Sequence, residues 1–319
     1  MQYTKATAKR YSREHFRGVW AATLTPFNDD LSFNEVGFRR NLQHWIHDLK
    51  LGGLFVGGKQ AEYFSMSIPE RKQLFSIAVE AAKSGQNHCG IITSCSDTNL
   101  DVVLDLARYS QTTGADYIVV HSPVLHFGAD TDETIYEYYR YLSEQLEIGI
   151  ALWNHPDCGY VMSPQLCARI AALPNIIAIK YSVDRPLYKE LTALAGDQIL
   201  VSTASEPEWL DNIVELNWQL YLCSTPPFLL QTSNDQRMNQ YTTLAMAGQV
   251  EQARQVSASL DKVRAAFKAC KPEGKPQAHA KYWLELLGQV GGPVRRPLLQ
   301  LTELEKALIR KEFASSGLR

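Results

Sequence analysis

From Gly18 onward the chain alternates short apolar runs with longer stretches in which apolar residues recur every three to four positions. Short apolar runs bounded by turn residues are the pattern of strands buried on both faces, and the longer stretches are the pattern of crossover helices. The strand candidates are 19–25 (VWAATLT), 53–57 (GLFVG), 88–94 (HCGIITS), 116–122 (DYIVVHS), 149–154 (GIALWN), 175–181 (NIIAIKY), 198–203 (QILVST) and 219–224 (QLYLCS). Helical periodicity fills 34–49, 68–83, 97–112, 131–146, 163–172, 185–195, 206–216 and 233–247, and Asn34 and Ser163-Pro164 stand where helix N-termini want them. Eight βα units in succession predict a closed (β/α)8 TIM barrel of the α/β class over 18–247 rather than an open sheet. Residues 1–17 read as an N-terminal extension. Residues 248–319 read as helices at 249–269, 277–288 and 302–314, broken by Lys271-Pro272-Glu273-Gly274 and Gly291-Gly292-Pro293, and are expected to pack on the barrel.

Composition narrows the partners. A chain of 319 residues with 45% hydrophobic composition buries one large core. With 32 basic and 34 acidic residues, the net charge of −2 supplies no field to gather nucleic acid or an anionic membrane, so a small molecule is the expected partner. Cys89, Cys95, Cys158, Cys167, Cys223 and Cys270 show no CxxC spacing, which fits reduced thiols and a cytoplasmic location. The opening MQYTKATAKRYSREHFRG is basic and polar, unlike a signal peptide, and no run approaches the roughly 18 apolar residues of a membrane span.

In such a barrel the loops after the strands build the active face, so polar residues at strand C-termini carry the information. Lys180 follows the apolar run Ile176-Ile177-Ala178-Ile179. A charge there is costly, and desolvation lowers an amine's pKa toward neutrality, where it becomes a nucleophile. The bland alternative is a lysine just clear of the barrel, paired to a helix. Gly57-Gly58-Lys59-Gln60-Ala61-Glu62 follows the second strand. Its glycines let backbone amides approach an anion, and Lys59 adds positive charge, although glycine-rich turns also serve conformation alone. The fifth strand ends in Trp153-Asn154-His155-Pro156-Asp157-Cys158-Gly159-Tyr160, where Trp153 can wall a pocket and His155 or Tyr160 can move protons. Thr25-Pro26-Phe27 and His121-Ser122-Pro123 lie on the same face, with Pro26 and Pro123 reading as turn residues.

Together these segments resemble the dihydrodipicolinate synthase and N-acetylneuraminate lyase family of class I aldolases and dehydratases. The similarity runs from GVWAATLTPF at 18–27 to GGPVRRPLLQLTELEKALIRKEF at 291–313. Gly58-Lys59-Gln60-Ala61-Glu62 is similar to the family's GxxGE loop, Trp153-Asn154-His155-Pro156 to its YNxP loop, and Ile177-Ala178-Ile179-Lys180 to its Schiff-base strand. The resemblance implies an imine at Lys180, a 2-oxo acid substrate such as pyruvate, no metal or organic cofactor, and a homotetramer or homodimer. The substrate-contacting positions it points to are Thr25, Gly58, Lys59, Gln60, Leu125, Asn154 and His155, with Trp153 and Tyr160 beside the lysine as catalytic candidates.

The departures from the family pattern are equally informative. Trp153 replaces the tyrosine that shuttles protons, and an indole N–H donates only. Lys59-Gln60 replaces the threonine pair that grips the carboxylate, Leu125 replaces a second tyrosine, and Asp157-Cys158-Gly159 lacks the arginine of the synthases. Ordinary dihydrodipicolinate synthase activity is therefore not expected. Lys59 can grip the carboxylate in place of the threonines, and proton transfer falls to Tyr160, His155, His126 or water. Trp153, Leu125, Phe127, Tyr63 and Phe64 suggest a larger or less polar substrate tail. The competing expectation is a catalytically altered barrel that binds a 2-oxo acid as a sensor or structural partner. A phosphate-substrate barrel ranks last, because Ser202-Thr203-Ala204-Ser205 and Ser224-Thr225-Pro226-Pro227 contain no glycine to cradle a phosphate.

Overall fold

The computed structural model describes residues 2–84, 89–123 and 131–318. Its centre, among those residues, is eight parallel strands: β1 (Gly18–Ala22), β2 (Gly53–Val56), β3 (Gly90–Ser94), β4 (Tyr117–His121), β5 (Gly149–Asn154), β6 (Ile176–Tyr181), β7 (Leu200–Ser202) and β8 (Leu220–Leu222). Neighbours pair from β7 round to β1, and β1 then pairs with β8 through Val19 opposite Tyr221, so the sheet curls back on itself. Side chain and loop bonds bridge the remaining seam. Leu222 N–H donates to the Ser202 hydroxyl at 2.8 Å, and Ser224 N–H reaches the Ala204 carbonyl at 3.4 Å.

The helices in chain order are α1 (Ala8–His15), α2 (Glu35–Gln43), α3 (Ile68–Ser84), α4 (Leu100–Thr113), α5 (Thr131–Gln145), α6 (Pro164–Ala171), α7 (Arg185–Ala195), α8 (Trp209–Leu216), α9 (Arg237–Met246), α10 (Val250–Ser259), α11 (Asp261–Ala269), α12 (Pro276–Leu286) and α13 (Glu303–Ser316). Helices α2 to α8 each cross from one strand to the next. Two helices expected as single runs are interrupted. The segment 34–49 widens into a π turn at His44–Asp48. The run 249–269 breaks at buried Leu260, where the Arg264 guanidinium takes the Ser257 carbonyl.

Alternation along each strand separates two cores. Leu54, Ile91, Ile118, Ile150 and Ile179 face outward against the helices. Phe55, Ile92, Val119, Ala151, Ala178 and Leu222 face the barrel interior. At its lower end Trp20 lies across β2 and β3, and a Cβ on Gly53 or Gly90 would come within 2.1 or 2.2 Å of the indole. The N-terminal segment, polar by composition, closes that end. Phe16 packs 4.4 Å from Trp20 and 4.6 Å from Tyr117, and the Tyr3 hydroxyl accepts the Gly149 N–H at 2.9 Å. The opposite end, where the strands terminate, is left for chemistry.

Candidate active site

Register sets the composition of that end. His121 of β4 lies opposite Trp153 of β5, Trp153 opposite Lys180 of β6, and Lys180 opposite Ser202 of β7. Each has the parity of an interior residue below it on its own strand, so an imidazole, an indole, an amine and a hydroxyl share one inward rung.

Lys180 is 4% exposed. Its Nζ donates to the Cys223 carbonyl at 3.3 Å and stands 5.1 Å from the Phe55 ring and 5.3 Å from the Trp153 ring. Among the described residues no carboxylate pairs with it. Burial without a counter-ion, reinforced by the Lys59 charge, lowers its pKa from 10.5 to about 8. At pH 7 about one amine in ten is then neutral, against about one in three thousand for an ordinary lysine. Trp153 is 4% exposed, and its indole N–H has no hydrogen-bond partner among the described residues. The ring meets His121 edge-on at 4.7 Å and Phe55 at 5.7 Å.

The loop after β2 is built on strain that glycine relieves. Gly57 has φ +73°, and a Cβ there would meet the Phe75 ring at 2.6 Å. Gly58 lies against the Phe55 ring, and Lys59–Ala61 form one 3-10 turn. Glu62 follows at φ 61°, fully buried. Its carboxylate sits 2.5 Å from Lys281 Nζ of α12 and accepts the Arg295 N–H at 2.8 Å, which ties the loop to the C-terminal helices. The Thr25 hydroxyl donates to the Ala61 carbonyl at 2.9 Å, and Gln60 Nε2 donates to the Ser224 carbonyl at 3.3 Å. Thr25 and Gln60, expected at the substrate, use these donor groups to hold the loop. Lys59 spans the mouth to pair with Asp157 of the β5 loop, both side chains about half-exposed.

The β5 loop is organised by Asn154. This buried amide donates to the Ser122 hydroxyl at 3.0 Å and the Tyr160 carbonyl at 3.1 Å, and accepts the Met162 N–H at 3.0 Å. Its polar groups are therefore engaged in shaping the loop. His155 Nδ1 accepts the Asp157 N–H at 3.1 Å. Burial, with Lys59, His121 and Lys180 nearby, lowers its pKa to about 4, so it is neutral at pH 7. The Tyr160 hydroxyl donates to Asp132 of α5 and its ring packs on the outer core, which directs it away from the rung of Lys180. Burial first, and then Asp132, push its pKa up to about 12. Leu125, His126 and Phe127 lie outside the described residues.

Two clefts open on this face. One of about 540 Å³ is lined by residues after β5 to β8, including Val161, Ser182, Asp184, Thr203 and Ser205. The other, about 280 Å³, lies between Tyr63, Phe64, Arg71, Ser96 and His121. Sequence reasoning placed His121 on the active face without assigning it a task; the strand register supplies its inward direction.

Fold and site together define a parallel barrel with a buried lysine of lowered pKa at the end of its sixth strand. The profile of the Dihydrodipicolinate synthetase family matches residues 15–314, and the chain belongs to that family. It is 27% identical over 317 residues to a 4-hydroxy-tetrahydrodipicolinate synthase of Thermotoga petrophila, covering 95% of this chain and 99% of that one. To an N-acetylneuraminate lyase of Histophilus somni it is 27% identical over 170 residues, 53% of this chain and 56% of that one. The structure of a chloride-inhibited dihydrodipicolinate synthase from Acinetobacter baumannii complexed with pyruvate superposes with a TM-score of 0.82 at 20% identity, covering 95% of this chain and all of the other. The family's chemistry is Schiff-base aldolase chemistry on pyruvate. No helix among the described residues is long and apolar enough to cross a membrane.

Proposed function

We propose that the chain is a Schiff-base-forming lyase acting on a 2-oxo acid, pyruvate or a substituted pyruvate, with Lys180 as the covalent amine and a reaction other than that of dihydrodipicolinate synthase. The observation that carries this is the buried amine with a carbonyl and two aromatic faces around it and, among the described residues, no carboxylate paired with it. The neutral amine attacks C2 of the acid, and the carbinolamine loses water to give a protonated imine. That imine draws electrons from C3, so that a C–H or C–C bond there breaks with its electron pair stabilised. The indole N–H of Trp153, unpartnered among the described residues, supplies a donor to a substrate oxygen but cannot act as a base.

Lys59 draws the substrate carboxylate to the mouth. Its present partner Asp157 is displaced cheaply, since an exposed ion pair is worth only about 0–1 kcal/mol. A turnover panel of 2-oxo-4-hydroxy acids identifies the reaction. Imine formation with a flat panel supports instead a sensor that captures the acid without converting it, the reading that Trp153 in the phenol's place favours. The homotetramer or homodimer implied by the resemblance is read by sedimentation. The direct test of the amine is borohydride reduction in the presence of pyruvate followed by peptide mass spectrometry, with the label expected on Lys180 and its appearance on Lys59 contradicting the assignment.

A further inference from the structure

We propose that His121 is the general base of this site, the group that removes and returns the C3 proton of the Lys180 imine. The inference rests on the Schiff-base reading above and adds the proton acceptor that Trp153 cannot be. His121 ends β4 on the same inward rung as Trp153 and Lys180. Two strand spacings of about 4.8 Å separate its backbone from that of Lys180. The indole of Trp153 stands between them on that rung, 4.7 Å from the His121 ring and 5.3 Å from Lys180 Nζ.

The hydrogen bonds around the ring choose its tautomer. His121 Nδ1 lies 3.0 Å from the Ser122 carbonyl, an acceptor only, so Nδ1 carries the proton and Nε2 carries the lone pair. Nε2 faces Cys158 Sγ at 3.7 Å, and that thiol donates its own proton to the His155 carbonyl at 2.8 Å. The His121 backbone N–H is fixed by the Ser96 hydroxyl at 2.9 Å, which holds the residue in place. His155 Nδ1, by contrast, lies against both the Asp157 N–H at 3.1 Å and the Asp157 carboxylate at 3.3 Å. Of the two described histidines at the barrel mouth, His121 is the one whose Nδ1 faces an acceptor alone and leaves the lone pair on Nε2.

Among the described residues, the charged and titratable groups around the ring are Lys59 from the β2 loop, Lys180 from β6, His155 and Cys158 from the β5 loop, and Tyr63, Arg71 and Asp97 along the adjoining cleft. Burial, followed by the two lysines, lowers the imidazole's pKa and keeps it neutral at pH 7. In the step itself the C3–H bond breaks and its electron pair becomes the C2=C3 bond. The C=N π pair returns to the Lys180 nitrogen, and the proton moves to His121 Nε2. The reverse transfer restores the imine, and an imidazolium that has exchanged with heavy water returns a deuteron.

The test uses the full chain and pyruvate. Wild type is expected to exchange the pyruvate methyl protons in heavy water, followed by NMR, with the rate falling as pH drops through the His121 pKa. His121→Asn is expected to lower that exchange by about 10²- to 10⁴-fold while borohydride trapping at Lys180 persists. His121→Ala is expected to regain exchange when imidazole is added, which a purely structural role would not give. In the unmodified protein, ¹⁵N-histidine spectra are expected to show His121 as the neutral Nδ1–H tautomer. Wild-type exchange rates in His121→Asn with trapping intact, or an Nε2–H tautomer, overturn the role of His121 and leave the Lys180 reading standing. Loss of trapping in the wild type removes both.

Discussion

A lysine kept dry without a counter-ion penalises folding, and replacing it should show by how much. Lys180→Met keeps an unbranched stem of similar length and removes the ammonium. The pKa falls from 10.5 to about 8 on folding, a difference of about 2.5 units. At 1.36 kcal/mol per unit this corresponds to a penalty of about 3 kcal/mol at pH 7. The substitution also frees the Cys223 carbonyl, which Nζ now satisfies at 3.3 Å, at a cost of about 1 kcal/mol. Lys180→Met is therefore expected to be more stable than wild type by about 2 kcal/mol at pH 7.

The pH dependence isolates the charge. Between pH 8 and 10.5 the unfolded lysine binds more protons than the folded one, so wild-type stability from this group rises with pH across that window. Below pH 8 both forms are protonated and the penalty is constant. The advantage of the variant should thus shrink by about 2 kcal/mol between pH 7 and 9.5. Urea unfolding of both proteins at the two pH values measures it. A variant less stable at pH 7, or an advantage independent of pH, would show that the amine is not desolvated as described.

Three further outcomes follow from the packing. Glu62→Gln leaves Lys281 buried without its carboxylate and is expected to cost about 3–5 kcal/mol in urea unfolding; the double variant with Lys281→Met should recover much of that loss. Phe16→Ala removes the ring that meets Trp20 and Tyr117 under the barrel, for an expected loss of about 3–5 kcal/mol in the same assay. Lys59→Ala is expected to raise the pyruvate concentration for half-maximal trapping by about 10- to 100-fold, the equivalent of one charge-assisted hydrogen bond, with the maximal extent unchanged.

The barrel was legible in the sequence because strands covered on both faces must be continuously apolar, and eight such runs stand out between helical periods. Lys180 was legible for the same reason, as a charge that ends one of those runs. The closure of the barrel's lower end was not, because α1 is polar along most of its length and only Ala8 and Tyr11 within it join Tyr3 and Phe16 at its flanks in that core. The roles of Thr25, Gln60 and Asn154 were also hidden. Each depends on a carbonyl, amide or hydroxyl that the fold brings opposite from another segment, at Ala61, Ser224, Ser122 and Met162. The Tyr160 hydroxyl was expected at the lysine, yet Asp132 on the neighbouring helix claims it. His121 was visible only as a polar residue after a strand. Its value as a base depends on the Ser122 carbonyl at 3.0 Å, a relation set by backbone geometry at the strand end.

The central claim, an imine at Lys180, is tested most directly by borohydride reduction with pyruvate and peptide mass spectrometry, run beside Lys180→Met. A reduced pyruvyl group on the peptide carrying Lys180, absent in the variant, is the expected result. An unlabelled wild-type protein, or equal labelling of the variant, would contradict it.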